Sequence, residues 1–375
     1  MKPSVATEPS PDLTSGRSKR SVAGTLADLP PWVWPLVALL ALVAAVVVIE
    51  MIKRGETNFL KPANLKNVLN QQSYVGVVAV GMTFVIIAGG IDLSVGALLA
   101  ATGVIALLSA NKLLGTPPAD ATTATVWFAV LGGYLAAIFA GGIAGALHGV
   151  LVAKFRIAAF VATLGGLAAY RSLALTLGES GEVRYAGPQP ESYLDFNAYQ
   201  QFANTGITVP FTNIAPNAPE PIPLLINWPI IVFLLTVVLG ALTLSRTRFG
   251  RHTIAVGSNE RAARYSALPV DGIKIAVFVL LGLLTGLAAI MNTSRSGTIS
   301  SGNTGILLEL DAIAAVVVGG TRLSGGRGTV IGTLFGVLIL GVIGNMLTLL
   351  EVESTLQGMV KGGVIVLAVL LQRRT

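Results

Sequence analysis

Three acids stand where acids are scarce. Asp92 lies in "GGIDLSVG" (89–96), and Glu309 and Asp311 lie in "NTGILLELDAIAAVVVGG" (303–320), each inside or beside an apolar run. A carboxylate at the edge of hydrocarbon is expensive, so it either serves a function or is held by nearby backbone. Ion coupling, gating of a path and acid–base catalysis are the chemistries open to such groups. Catalysis has the least to build on. The chain has no cysteine, and its two histidines, His148 and His252, are far apart, so no metal site or nucleophile–base pair is spelled out and no cofactor is implied.

Asp92 also has a structural reading, because a carboxylate near a helix start accepts free backbone N–H groups and suits the dipole. Gly89, Gly90 and Gly96 favour a sharp re-entry across a break of two or three residues. Both readings stand on spacing alone. The expectation is a gating residue at a helix break, with Ser94 beside it and its carboxylate bonded by N–H groups of the following span. Glu309 and Asp311 would begin a short helix, with Asn303 and Thr304 as polar lining of a path. "GGTRLSGG" (319–326) repeats the G-G-x-x-L-S-x-G pattern of 89–96 and puts Arg322 where the first copy has Asp92. That echo suggests two halves of the same orientation, each with a broken helix. His148 reads as a satisfied interfacial residue.

The elements that must position these groups are membrane spans. Hydrophobic residues make up 53% of the 375 and charged residues 11%, against roughly 25% charged in soluble domains. A net charge of +7 invites a nucleic-acid reading, but no nucleic-acid module is present and membrane orientation explains the basic residues better. After a polar, Ser- and Pro-rich stretch, 1–31, expected to be a mobile tail, apolar runs fall near 32–52, 71–89, 94–110, 124–148, 158–177, 226–244, 273–292, 329–350 and 357–371. A shorter run, 310–320, makes ten. An even count puts both termini on one side, and placing them inside assigns sixteen Lys and Arg to inner segments against seven to outer ones. The basic cluster at 53–66 runs against that orientation.

Two loops stand out. Residues 178–225 hold seven prolines and five acids against one base, which excludes a span; either a cover or docking surface at the outer mouth or a surface insertion fits. The inner segment 245–272 carries much of the positive charge. Ser258 or Asn259 would cap a helix of about eight residues that stops before Pro269, with Glu260 in its first turn and Arg261 and Arg264 on one face. In "LGGYLAAIFAGGIAGALHG" (131–149) small residues recur at helical spacing, as close helix packing requires.

Together "GGIDLSVGALLA", "FRIAAFVATLGGLAAYRSLALTL", "FGRHTIAVGSNERAARYSALPVDGIK" and "ELDAIAAVVVGGTRLSGGRGTVIGTLFGVLILGVIGN" resemble the permease subunit of ribose- and xylose-type sugar ABC importers, over about residues 60–375 apart from 185–225. The resemblance implies an all-α polytopic fold of the vitamin-B12-importer type. It implies a homodimer in the bacterial inner membrane, a pair of cytoplasmic ATPase subunits and a periplasmic sugar-binding protein. Gly257, Ser258, Asn259, Glu260, Arg261, Arg264 and Tyr265 would then couple to the ATPase, with Ala262, Ala263 and Tyr265 packing against it. No G-x-x-x-x-G-K-[ST] occurs anywhere, so the chain is not expected to be an enzyme and its energy must come from a partner. An ion-coupled secondary transporter built on Asp92, Glu309 and Asp311 is the alternative.

Overall fold

Apolar runs in this chain close their own backbone hydrogen bonds as helices, the one open element that can cross lipid. The structure is a computed structural model that describes residues 30, 32–115, 121–189, 196–210, 223–353, 356–360 and 362–363. In chain order the helices are α1 (Val33–Arg54), α2 (Pro62–Ile87), α3 (Val95–Leu114), α4 (Thr123–Ala153), α5 (Ala159–Leu177), α6 (Ala198–Asn204), α7 (Trp228–Arg246), α8 (Arg248–Ser258), α9 (Glu260–Tyr265), α10 (Val270–Ser296), α11 (Leu308–Val318) and α12 (Val330–Leu349). Eight of them, α1 to α5, α7, α10 and α12, are long and apolar enough to cross a membrane. The expected last span, 357–371, lies largely outside the described residues, of which 356–360 and 362–363 are helical.

The connections alternate between two ends. At one end, the basic end, lie the links 88–94, 154–158, 247–269 and 319–329, with Lys154, Arg156, Arg251, Arg261, Arg322 and Arg327 among them. At the other, the segment after α5 is folded rather than loose. Strand β1 (Glu182–Arg184) pairs antiparallel with β4 (Thr298–Ser300), Val183 opposite Ile299. Strand β2 (Gly206–Pro210) pairs with β3 (Pro223–Asn227), so the fold is mostly rather than wholly helical. Helix α6 seats Tyr199 in the interior, where its hydroxyl meets Thr293 Oγ1 at 3.0 Å and its carbonyl accepts a 2.7 Å bond from the Tyr134 hydroxyl. The cluster at 53–66 belongs to this capped end. There Glu50, 2% exposed, accepts bonds from Thr57 Oγ1 and the N–H groups of Asn58 and Phe59, and Asn64 bonds Asn345 across the bundle at 2.9 Å.

Helix α2 runs through the middle, buried continuously from Val75 to Ala88. The most extensive pair is α4 against α10. Gly141, Gly145 and Gly149 on α4 meet the backbone of Gly282, Phe278 and Ile275 on α10 so closely that a Cβ at any of them would collide with it. Dispersion between backbones at that distance replaces the hydrophobic drive that lipid does not supply. The small-residue run is therefore a packing seam.

A bulky side chain in that seam must push the two helices away from each other. Gly141→Leu is expected to cost about 3 kcal/mol or more in thermal unfolding of the detergent-solubilised protein. Gly344→Ala, whose new methyl would meet nothing within 4 Å, is expected to be neutral or to stabilise by up to about 1 kcal/mol. Equal melting temperatures for the two variants would contradict this packing.

Candidate functional site

The first break is the seven-residue link 88–94, longer than the two or three residues expected. Helix α2 ends in a Schellman turn, with Gly89 at φ +85° and the Gly90 N–H bonded to Val85 O. The chain then turns back into the protein. Asp92 is 3% exposed; its Oδ1 accepts the Ser94 N–H at 2.7 Å and the Ser94 hydroxyl at 2.6 Å. One backbone N–H satisfies it, rather than several from the following span. Its Oδ2 faces His148 Nδ1 of α4 at 3.5 Å, an ion-pair distance outside hydrogen-bond geometry. His148, 2% exposed, has its Nε2 3.4 Å from the Tyr170 hydroxyl of α5. Thr163 of α5 steadies the same link, accepting from the Leu93 N–H at 3.1 Å and donating to Ile91 O at 3.3 Å.

The second break lies on the other side. Residues 301–307 lead from β4 into α11, an 11-residue helix with Glu309 and Asp311 in its first turn and Leu307 at φ +62° just before it. Asn303 is exposed and Thr304 half-buried. Arg171 of α5 holds this segment: its Nη1 donates to the carbonyls of Ser301, Gly302 and Thr304 at 3.1, 3.0 and 2.9 Å. The two breaks touch. Gly96, in the first turn of α3, and Gly305, at φ +75°, cross backbone to backbone, and Glu309 lies over Gly96. Asp92 and Ser94 thus belong to one break, while Asn303, Thr304, Glu309 and Asp311 belong to the other.

The two helix ends share one turn geometry, offset by one residue from the sequence pattern. Ala88, Gly89 and Gly90 bond to Phe84 O, Ile86 O and Val85 O; Gly319, Gly320 and Thr321 bond to Ala315 O, Val317 O and Val316 O. The equivalent of Gly89 is therefore Gly320, not Gly319, because the left-handed position after the helix sets the register. Asp92 and Arg322 are not counterparts: one is buried, the other exposed.

The corner between α7 and α10 is two helices, not one. Ser258 ends α8, and Asn259 alone caps the six-residue α9, accepting the Ala262 N–H at 3.0 Å. Ala263 is 4% exposed against Val256, Val270 and Ile273 of its own chain, so it cannot pack on a partner. Arg264 is engaged by Glu260 and Asp271 at 3.1 and 2.6 Å, and Lys274 reaches Glu260 at 2.8 Å. Arg261, Ala262 and Tyr265 remain exposed, Tyr265 at 92%. The Lys274 hydrogen bond, aided by Arg264, holds the Glu260 carboxyl below its ordinary range against the opposing pull of partial burial. The corner sits directly on both helix-end motifs: Gly326 N–H bonds to Ile87 O at 2.9 Å, and Gly257 lies so close to Ile87 O that no Cβ would fit.

Residues 64–369 match the family described as branched-chain amino acid transport system / permease component. The chain belongs to this permease family. It is 38% identical to the ribose import permease protein of Bacillus subtilis over 84% of this chain and 87% of that protein. It is 38% identical to the ribose import permease protein of Escherichia coli K12 over 89% and 93%, and 32% identical to that organism's xylose transport system permease protein over 89% and 91%. No solved structure matches significantly.

Sequence reasoning missed two residues that hold the breaks, Thr163 and Arg171, and misplaced a third, His148. Thr163 is invisible without its partner. Arg171 had a signal, since a cation inside the fifth span is expensive by default, but it lies outside the loops where orientation is counted. His148 is not the satisfied interfacial residue expected from its place at the end of a span: it is buried, with no hydrogen bond at Nδ1. Asp92 beside it could not be read from a chain distance of dozens of residues.

Asp92→Asn keeps an acceptor for Ser94 and loses the charge facing His148, so the permease should still fold and insert, with impaired transport. Asp92→Leu leaves the Ser94 donors buried and unpaired, at about 1–3 kcal/mol, and should lose stability as well as transport. Near-wild-type transport by both variants would refute a role for the carboxylate. The corner has its own pH dependence. Because the folded pKa of Glu260 is depressed, its contribution is present above the unfolded value, about 4.3, and is lost as pH falls through the lower folded value. Amide protection in α9 is expected to hold from pH 8 to about 5 and then fall, and Glu260→Gln should remove that step.

Proposed function

We propose that this permease is the transmembrane subunit of an ATP-driven importer and forms the path for a monosaccharide of the ribose or xylose kind, delivered by a periplasmic binding protein. The observation that carries this is near-end-to-end similarity, over 84–89% of the chain, to proteins named for ribose and xylose transport. The geometry suits the role. Helices broken inside the bundle would place polar groups and unwound backbone where a solute must pass.

In this reading ten spans, α11 and the region 357–371 included, form a vitamin-B12-importer-like fold. The basic end and both termini face the cytoplasm, as the distribution of Lys and Arg favours. The membrane is the bacterial inner membrane, lipid surrounds the outer helices, and a second copy completes the path. The chain carries no phosphate-binding lysine motif, so ATP closure must arrive by contact, and α9 with its exposed Arg261 and Tyr265 is the knob that receives it. From there Gly257 against Ile87 and Gly326 carries displacement to the end of α2 and to the link between α11 and α12. The binding protein would sit on the capped end, over β1, β4 and α6.

Arg261→Glu combined with Tyr265→Ala alters two exposed side chains and leaves the Arg264–Glu260–Lys274 cluster intact. Co-purification with the ATPase subunit is expected to drop at least tenfold, with unchanged melting temperature and membrane insertion. Normal co-purification and uptake would mean that α9 is not the docking knob. Uptake that persists without the ATPase but collapses with the proton gradient would instead select the ion-coupled mechanism.

A further inference from the structure

Helix α11 has 11 residues, about 16 Å of rise, and ends at the basic end beside Gly319 and Gly320. Its start therefore lies near the middle of a hydrocarbon core about 30 Å thick. The segment before it is not helical, and Gly302 to Leu307 are all half-buried or exposed on the surface of the protomer. Open backbone at that depth cannot face hydrocarbon; it must line water or be covered by protein. Arg171 opens onto the same face. It lies twelve residues along α5, about 18 Å from its first residue, and is only partly buried.

All three hydrogen bonds of Arg171 use Nη1, and among the described residues Nε and Nη2 make none. Neither is a buried orphan, so both are accessible at the surface of the protomer. Glu309 follows on the same segment: its carboxylate lies over Gly96 beside Gly305, the residue after the Thr304 carbonyl that the guanidinium holds. An adjacent Nε–H and Nη2–H fork presents two parallel donors, which suit two neighbouring hydroxyl oxygens, and a carboxylate accepts the hydroxyl hydrogens. An anion would be attracted by Arg171 but repelled by Glu309, and a cation the reverse. A neutral polyol satisfies both.

We propose that Arg171 and Glu309 form a hydroxyl-binding station for a neutral sugar in the wall of the membrane path, with Nη1 fixing the re-entrant segment and Nε and Nη2 meeting the solute. The station rests on the permease reading above. It makes Arg171 a binding residue as well as a support for the backbone at 301–304.

The test uses the full importer, permease with its ATPase and binding protein, in proteoliposomes, with ribose as the probe. ATP-dependent uptake by the unaltered complex is measured first, and its absence would sink the permease reading rather than the station. Asn303→Cys then reports the site through its rate of reaction with a small impermeant thiol reagent. Ribose at high concentration is expected to slow that labelling severalfold in the nucleotide-free complex. Glu309→Gln leaves the Nη1 bonds untouched, so labelling without sugar should keep its rate while ribose protection disappears and uptake per ATP hydrolysed falls at least tenfold. Arg171→Gln should lose protection as well. Protection and coupling retained in Glu309→Gln, with only Arg171→Gln disturbing the labelling rate, would reduce Arg171 to a backbone support and overturn the station. Stronger protection by inorganic phosphate than by ribose would overturn it too.

Discussion

Hydrocarbon offers no hydrogen-bond partner, so every break in a helix inside it must be satisfied by the protein itself. This permease breaks its path twice, and one helix supports both breaks. Thr163 of α5 bonds the link at 91–93 and Arg171 of the same helix bonds the segment at 301–304. The two supports are eight residues apart, about 12 Å of helix. A rigid rotation or tilt of α5 would therefore act on both breaks at once.

Around that helix the scaffold is held by backbone contact rather than by large side chains. Glycines at the α4–α10 seam, at the crossing of Gly96 with Gly305 and at the junction of Gly257 with Ile87 bring main chains closer than any Cβ would allow. Such contacts are short and inelastic, because there is no flexible side chain to absorb a displacement. They suit a protein whose work is to move blocks relative to one another. The two ends differ accordingly. The basic end is a tight junction of helix ends, while the capped end carries a small folded cover anchored by buried Tyr199 and its bonds to Thr293 and Tyr134.

The acids divide by the same logic. Asp92 is enclosed, bonded by Ser94 within the first break and facing His148 at 3.5 Å. Glu309 is partly open, over Gly96 at the start of the short helix. Glu260, at the corner, works in water, where an exposed ion pair contributes little by itself and serves to orient a short helix.

Much of this was legible in the residues. The membrane class, the approximate positions of the described spans, the short helix near 310–320 and the cap at Asn259 follow from local composition and backbone chemistry, since a run of apolar residues or an Asn side chain acts on its immediate neighbours. The stop expected before Pro269 comes earlier, at Tyr265, through a turn closed by Ala267 and Leu268. The first turns of α2 were not legible, because Asn64 and its neighbours are polar and are drawn into the helix by contacts such as the Asn345 bond. The one-residue slip between the two motifs, the inward turn of Ala263, the pairing of Asp92 with His148 and the hold of Arg171 on 301–304 were decided only by the tertiary structure. Each depends on the depth and rotation of one helix against another. Those are set by which glycines meet across the bundle, a relation between distant positions that no local pattern encodes.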